Sequence, residues 1–351
     1  MKKISAFILA MVLTISLAAC GQTPPPASSS APESASSEAS STQPAPAPSK
    51  PAEKIDIKIA ALKGPTAIGM VKMMDSAAKG ETANNYSFTL AGAPDEIVGK
   101  IIQGEFDIAA VPTNLSATLY NKTEGKVKLA ALNTMGVLYI VENGDTIYSM
   151  ADLKGKTIYA TGKGSTPEFA LNYLLEKNGL SSEVTVEYKT EHTELASMLA
   201  AGQANIALLP QPFVTSVLMQ NEKVRVALDL TKEWETATAG ASGLTMGCIV
   251  IQKKFLDEHP DAVVAFMEEY KASTEFVTDP SNIDVAADLV VAQGIIAKAP
   301  MAKKAIPQCN IVFKSGEEMK SIASGFLQVL FDANPQSVGG KLPDESFYYL
   351  A

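Results

Sequence analysis

The sequence predicts an α/β protein of two similar lobes, each a mixed sheet flanked by helices, joined by two hinge crossings. Three observations carry this expectation. First, Gln103-Gly104-Glu105-Phe106-Asp107-Ile108-Ala109-Ala110-Val111-Pro112 aligns with Ala201-Gly202-Gln203-Ala204-Asn205-Ile206-Ala207-Leu208-Leu209-Pro210, each pair 98 positions apart. Lys63-Gly64-Pro65-Thr66 matches Lys163-Gly164-Ser165-Thr166 at nearly the same offset, so the chain repeats one unit. Second, strand-like and helix-like patterns alternate in the same order around both copies. Third, each copy is followed by a small-residue step into an apolar strand, Thr134-Met135-Gly136-Val137 and Thr245-Met246-Gly247-Cys248.

The elements follow in order. Lys2 and Lys3 precede an apolar run from Ile4 to Ala19, the layout of a signal peptide over residues 1–19. Residues 20–53 are mostly Ser, Ala and Pro, with no Val, Ile, Leu or aromatic residue to offset the entropy of ordering, and read as a disordered tether. The first copy is expected as strand Ile55–Ala61, helix Ala67–Ala78, strand Tyr86–Leu90, helix Asp95–Gln103, strand Phe106–Val111 and helix Leu115–Asn121. The second runs Thr157–Ala160, Glu168–Lys177, Val184–Tyr188, Glu194–Ala201, Asn205–Leu209 and Phe213–Gln220. Strands Val127–Leu132 and Val224–Leu230 close the copies. Alternation of this kind predicts parallel strands with right-handed crossovers. Helices over Asp261–Val277, Ile283–Ala292 and Glu317–Phe331 complete the first lobe, which takes residues 54–138 plus 240–351; residues 139–239 form the second.

Composition narrows the function. The 351 residues, 46% hydrophobic and 19% charged, exclude a wholly disordered chain. A net charge of −9 without a basic stripe argues against nucleic acid. Two His and three Cys leave little for metal or haem, and neither His has a partner at zinc spacing. Cys248 and Cys309 are compatible with a disulfide outside the cell or with two buried thiols. The Met70, Met73, Met74 group reads as core, and Glu268-Glu269 as the solvated face of a helix. No cofactor is expected.

Leu17-Ala18-Ala19-Cys20-Gly21 resembles the lipobox of bacterial lipoproteins, which implies lipidation at Cys20 and a membrane contact through the anchor alone. Together with the tether, the duplicated lobes and the two crossings, it resembles the substrate-binding lipoproteins of bacterial ABC importers. Asp152-Leu153-Lys154-Gly155-Lys156-Thr157-Ile158 and Leu209-Pro210-Gln211-Pro212-Phe213-Val214 are similar to one branch of that superfamily. The branch binds nitrate, sulfonates, taurine and pyrimidine precursors of thiamine with the type II periplasmic-binding fold. Gln211 stands where the branch commonly has Glu. The resemblance implies a monomeric solute receptor on the extracytoplasmic face of a bacterial membrane, with a permease and an ATPase as partners.

Ligands of parallel α/β sheets sit beyond the carboxyl ends of strands. This places candidate binding residues at Lys63, Gly64, Pro65 and Thr66; at Pro112, Thr113 and Asn114; and at Thr161, Gly164, Ser165 and Thr166. His192, Pro210, Gln211, Ser242 and Gly243 complete the set. Helix-start amides at two such corners favour an anionic group, with a heterocycle also open. Each corner reads equally as a capping or turn sequence, and Trp234, expected at a strand end, either walls the cleft or caps a lobe. Two other functions compete. One is an enzyme on the same fold, as in menaquinone- or pyrimidine-precursor pathways, with His192 as its reactive group; the other is a surface receptor that transports nothing.

Overall fold

The computed structural model describes residues 53–350. The signal peptide, Cys20 and nearly all of the tether lie outside the described residues. No described helix is long and apolar enough to cross a membrane.

The first copy folds as β1 (Asp56–Leu62), α1 (Pro65–Ile68), α2 (Val71–Ala78), β2 (Asn85–Ala91), α3 (Asp95–Gln103), β3 (Ile108–Pro112), α4 (Thr113–Lys122) and β4 (Val127–Met135). Gly136 and Val137 then lead into β5 (Leu138–Asn143). The second copy follows as β6 (Thr157–Ala160), α5 (Thr166–Lys177), β7 (Thr185–Tyr188), α6 (His192–Ala200), β8 (Ile206–Pro210), α7 (Phe213–Gln220) and β9 (Val224–Asp229). After α8 (Leu230–Ala237) the chain returns through β10 (Thr245–Gln252). It ends with α9 (Lys253–Glu258), α10 (Pro260–Thr278), α11 (Ile283–Ala292), α12 (Ala299–Ala305), β11 (Ile311–Ser315) and α13 (Gly316–Ala333).

The repeat is visible in the sheets. One has the order β11-β4-β10-β3-β1-β2 and the other β7-β6-β8-β5-β9. In each, three strands are parallel (β2-β1-β3 and β7-β6-β8), as the alternation predicts. The neighbours β10, β4 and β11, and likewise β5 and β9, run antiparallel. The reason is the exchange: β5 arrives from the first copy and pairs with β8, while β10 arrives from the second and pairs with β3. Each sheet is therefore mixed, and each holds one strand delivered by a crossing.

The repeated motif has a local cause. Gly104 and Gly202 follow α3 and α6 with φ of 75° and 74°, a left-handed turn that a side chain resists. The chain then enters β3 or β8, whose five residues are all buried, as befits a strand covered on both faces. Asp95 and Glu96 occupy the first turn of α3, where acids complement the helix dipole.

Three expectations are corrected, and one question left open is decided. The helix expected over Ala67–Ala78 breaks between α1 and α2, because Gly69 approaches α10: a Cβ there would lie 3.3 Å from the Tyr270 hydroxyl. Leu230 starts a helix instead of ending a strand, since the Asp229 carboxylate accepts from the Thr231 amide and caps α8. Trp234 accordingly lies within α8, fully buried, with rings of Tyr173 and Phe326 at 4.9 and 5.4 Å; it does not wall the cleft. Cys248 and Cys309 are free, buried thiols.

Candidate functional site

The carboxyl ends of the parallel strands in both sheets converge on one cavity of about 80 Å³. The first sheet contributes Leu62 and Lys63 after β1, Pro65 and Thr66 of α1, Gly92 and Pro94 after β2, and Pro112 at the end of β3. The second contributes Gly162 and Ser165 after β6, Pro167 of α5, His192 at the start of α6, and Pro210 at the end of β8. Thr134, Val137 and Met246, from the crossing strands, close the floor. Larger hollows occur elsewhere on the described surface, but none is lined by strand ends of both sheets.

The polar groups on this surface are few and mostly fixed. Thr66 Oγ1 donates to the Leu62 carbonyl at 2.8 Å, pinning the first corner. Thr134 Oγ1 donates to Asn133 Oδ1 at 3.1 Å, which leaves its lone pairs unspent. Beneath them a Cβ on Gly247 would sit 2.5 Å from Asn133 Oδ1 and 2.6 Å from Thr66 Cγ2, so the floor admits only glycine there. His192 Nδ1 meets the Thr161 hydroxyl, and its ring packs on Phe213 at 5.0 Å. The side chain keeps some accessible surface, yet enclosure penalises its charged form and pushes its pKa down to about 4. The imidazole is therefore neutral near pH 7, with Nε2 left for a ligand.

Amides at two of the corners are already occupied. The Gly164 amide donates to Glu168 Oε2 at 2.5 Å, and the Ser165 hydroxyl to the Gly162 carbonyl at 2.6 Å. At the corner after β2, the amides of Gly92 and Ala93 donate to Glu96 Oε1 at 2.9 and 2.8 Å. Helix α1 spans only four residues, so its dipole is small. Of the two corners that suggest anion binding on sequence, the one after β6 is answered in part by the chain's own Glu168 carboxylate. Lys63, exposed, is the one lysine on the lining, where there is no arginine and no acid.

Of the residues singled out on sequence, Lys63, Pro65, Thr66, Pro112, Ser165, His192 and Pro210 line the cavity. The others lie beside or behind it. Thr161 orients His192. Gln211 Oε1 accepts from the Thr215 amide and hydroxyl at 3.1 and 2.8 Å, capping the first turn of α7. Asn114 bonds Ser337 and Thr166, and Thr113 is buried beside it. Gly64 and Gly164 shape their turns with φ of 137° and 76°. Ser242 accepts the Trp234 indole N–H at 3.0 Å in the second crossing, and Gly243 adjoins Met135 there. Sequence reasoning missed the Gly92–Pro94 corner, although the strand-end rule that found the others applies to it equally. It also missed the floor. Among the described residues no cluster of His, Cys, Asp or Glu is arranged to hold a metal.

Comparison with known proteins agrees with this architecture. The family described as NMT1/THI5 like matches residues 126–283. No curated protein matches the chain. The crystal structure of an ABC transporter protein from Parabacteroides distasonis is 27% identical, covering 85% of this chain and 99% of its own, with a TM-score of 0.68. The alkanesulfonate-binding protein of Xanthomonas axonopodis pv. citri, solved with MOPS, is 15% identical over 84% of this chain and 96% of its own, TM-score 0.65. The periplasmic nitrate-binding protein of Synechocystis PCC 6803 is 13% identical over 82% and 84%, TM-score 0.57. The last two likenesses concern the fold alone. With two mixed sheets, exchanged strands and a cavity between equivalent strand ends, the chain has the two-lobed type II periplasmic-binding fold and is similar to solute-binding proteins of ABC import systems.

Proposed function

We propose that the protein captures a compact, uncharged solute in the cavity between its sheets, closes on it about the two crossings and delivers it to a permease driven by an ATPase. The observation that carries this reading is the lining. Strand ends from both repeats meet there, the walls are largely proline and aliphatic, and the amides of Gly92, Ala93 and Gly164 are spent on Glu96 and Glu168. Within the anionic-or-heterocyclic expectation this favours the heterocycle: a flat apolar body with a few acceptor or donor atoms facing Thr66, Thr134 and His192 Nε2. The small cavity favours a molecule well below drug size.

The candidate contacts are Lys63, Pro65, Thr66, Pro112, Ser165, His192 and Pro210, joined by Gly92, Pro94 and Thr134. Lipidation of Cys20 would tether a monomeric receptor to the outer face of the membrane through the Ser/Pro/Ala segment. Catalysis is not part of the reading: a histidine with a pKa of about 4 is a weak general base at neutral pH. The sulfonate- and nitrate-binding relatives favour a second reading, a single small anion held by Lys63.

Thermal-shift screening separates the two readings, because a ligand of the folded state raises the melting temperature by mass action. Uncharged pyrimidines are expected to stabilise the protein where taurine, ethanesulfonate and nitrate do not. The reverse result favours the anion.

A further inference from the structure

The two lobes are joined, away from the crossings, by one hydrogen bond among the described residues: Thr166 Oγ1 donates to Asn114 Oδ1 at 3.1 Å. Both residues are buried, Asn114 to 1% exposure and Thr166 completely. Thr166 opens α5 in the second repeat, between Ser165 and Pro167 of the cavity wall. Asn114 is the second residue of α4 in the first, two positions after the cavity residue Pro112. The bond thus lies beside the cavity and joins the two repeats.

The direction of this bond is imposed from behind. Asn114 Nδ2 donates to the Ser337 carbonyl at 2.9 Å. A carbonyl only accepts, so the amide nitrogen must face Ser337 and the amide oxygen must face Thr166. Ser337 belongs to a C-terminal strap held along one face of α4. Asn121 Nδ2 donates to the Val338 and Lys341 carbonyls at 2.9 and 2.7 Å. Gly339, at φ 83°, lies so near that a Cβ would come within 3.0 Å of Thr118 Cα. Positions 114, 118 and 121 share a helical face, so the strap grips α4 along two turns. The Ser337 hydroxyl donates to the Leu330 carbonyl at 3.1 Å, fixing the strap to α13 as well.

The geometry points to Asn114 as a closure latch: a positioning residue, oriented by the C-terminal strap, whose bond to Thr166 holds the lobes shut over the solute. This rests on the proposed reading of a cleft that closes. Loss of the Thr166 hydroxyl leaves the Asn114 oxygen buried and unpaired when the lobes are shut and hydrated when they part, so the equilibrium moves toward opening.

The test measures lobe separation by electron-spin distance spectroscopy in a full-length chain carrying Cys20→Ser, labelled at Gln103→Cys and Glu187→Cys. Both positions are exposed on opposite lobes, and the native thiols are buried. Without added ligand, Asn114→Ala and the near-isosteric Thr166→Val are each expected to lower the ratio of closed to open forms about fivefold to tenfold. Thr166→Ser restores it, and the double variant adds nothing further. Ser165→Trp, a wedge inside the cavity, provides the control. If the wedge opens the lobes and the latch variants do not, the latch is wrong and the clamshell stands. If neither variant nor wedge moves the lobes, both are wrong. Circular dichroism melting identifies a variant that merely unfolds, in which case Thr166→Val against Thr166→Ser decides.

Discussion

The Thr161 hydroxyl and His192 Nδ1 form a hydrogen bond from the end of β6 to the start of α6. It places an enclosed imidazole on the cavity wall and holds its plane against Phe213. The ring's pKa of about 4 lies below its ordinary value because burial disfavours the cation.

Stability should record this. A histidine whose folded pKa is lowered favours the folded state fully above its unfolded value near 6.5, and that contribution is lost as pH falls toward 4. The loss amounts to at most about 3 kcal/mol. Urea unfolding of the wild type and of His192→Gln should diverge across this window, the wild type losing more stability on acidification. Parallel curves would contradict the assignment.

Gly136 in the first crossing has no room for a side chain. A Cβ would lie 2.2 Å from Thr231 Oγ1 and 3.1 Å from Thr231 Cβ. Gly136→Ala should cost about 1–3 kcal/mol by overpacking. Thr231→Ala should recover part of that loss in the double variant, read as a coupling in a double-mutant cycle of unfolding free energies. Simple additivity would show that the two sites are independent.

Cys248 and Cys309 should be chemically silent in the folded protein. Burial pushes the Cys248 thiol up to about 12 and raises Cys309 as well. In a chain carrying Cys20→Ser, a colourimetric disulfide reagent should titrate no thiol in native buffer and two in guanidinium. Rapid native reaction would contradict this burial.

Glu142 holds the far end of the second sheet. Its carboxylate, 3% exposed, bonds Arg225 at 2.9 Å and accepts from the Thr146 amide and hydroxyl and the Ile147 amide. Burial alone would raise its pKa, but these bonds and the Arg225 charge outweigh it and hold the pKa below the usual value. A carboxyl of this kind stabilises above its unfolded pKa and loses that contribution as pH falls through the folded one. Glu142→Gln should therefore destabilise by about 2–4 kcal/mol at pH 7. The gap to wild type should narrow below about pH 4, as measured by denaturant unfolding.

Much of this architecture is written locally. Gly104 and Gly202, the buried strands they introduce and the acid-capped α3 follow from turn chemistry and periodicity, which act within a few residues. What was not legible depends on distant partners. The break at Gly69 needs Tyr270, two hundred positions away, and the helical state of Trp234 follows from a cap at Asp229 that resembles a strand end. The site divides in the same way. Strand ends locate its corners, but Thr, Asn, Gln and Ser serve caps and ligands alike. Only packing reveals that Gln211 caps α7 and Asn114 faces Ser337 and Thr166, while Thr134 and Met246 of the crossing strands reach the floor.

The central claim is that a solute sits between the sheets, and a crystal structure of the protein with the compound giving the largest thermal shift tests it most directly. The account predicts ligand density between the strand ends, in contact with Thr66, Thr134 and His192 Nε2, with the Asn114–Thr166 bond intact. Density on an outer face, with the cavity between the sheets filled by solvent alone, would contradict it.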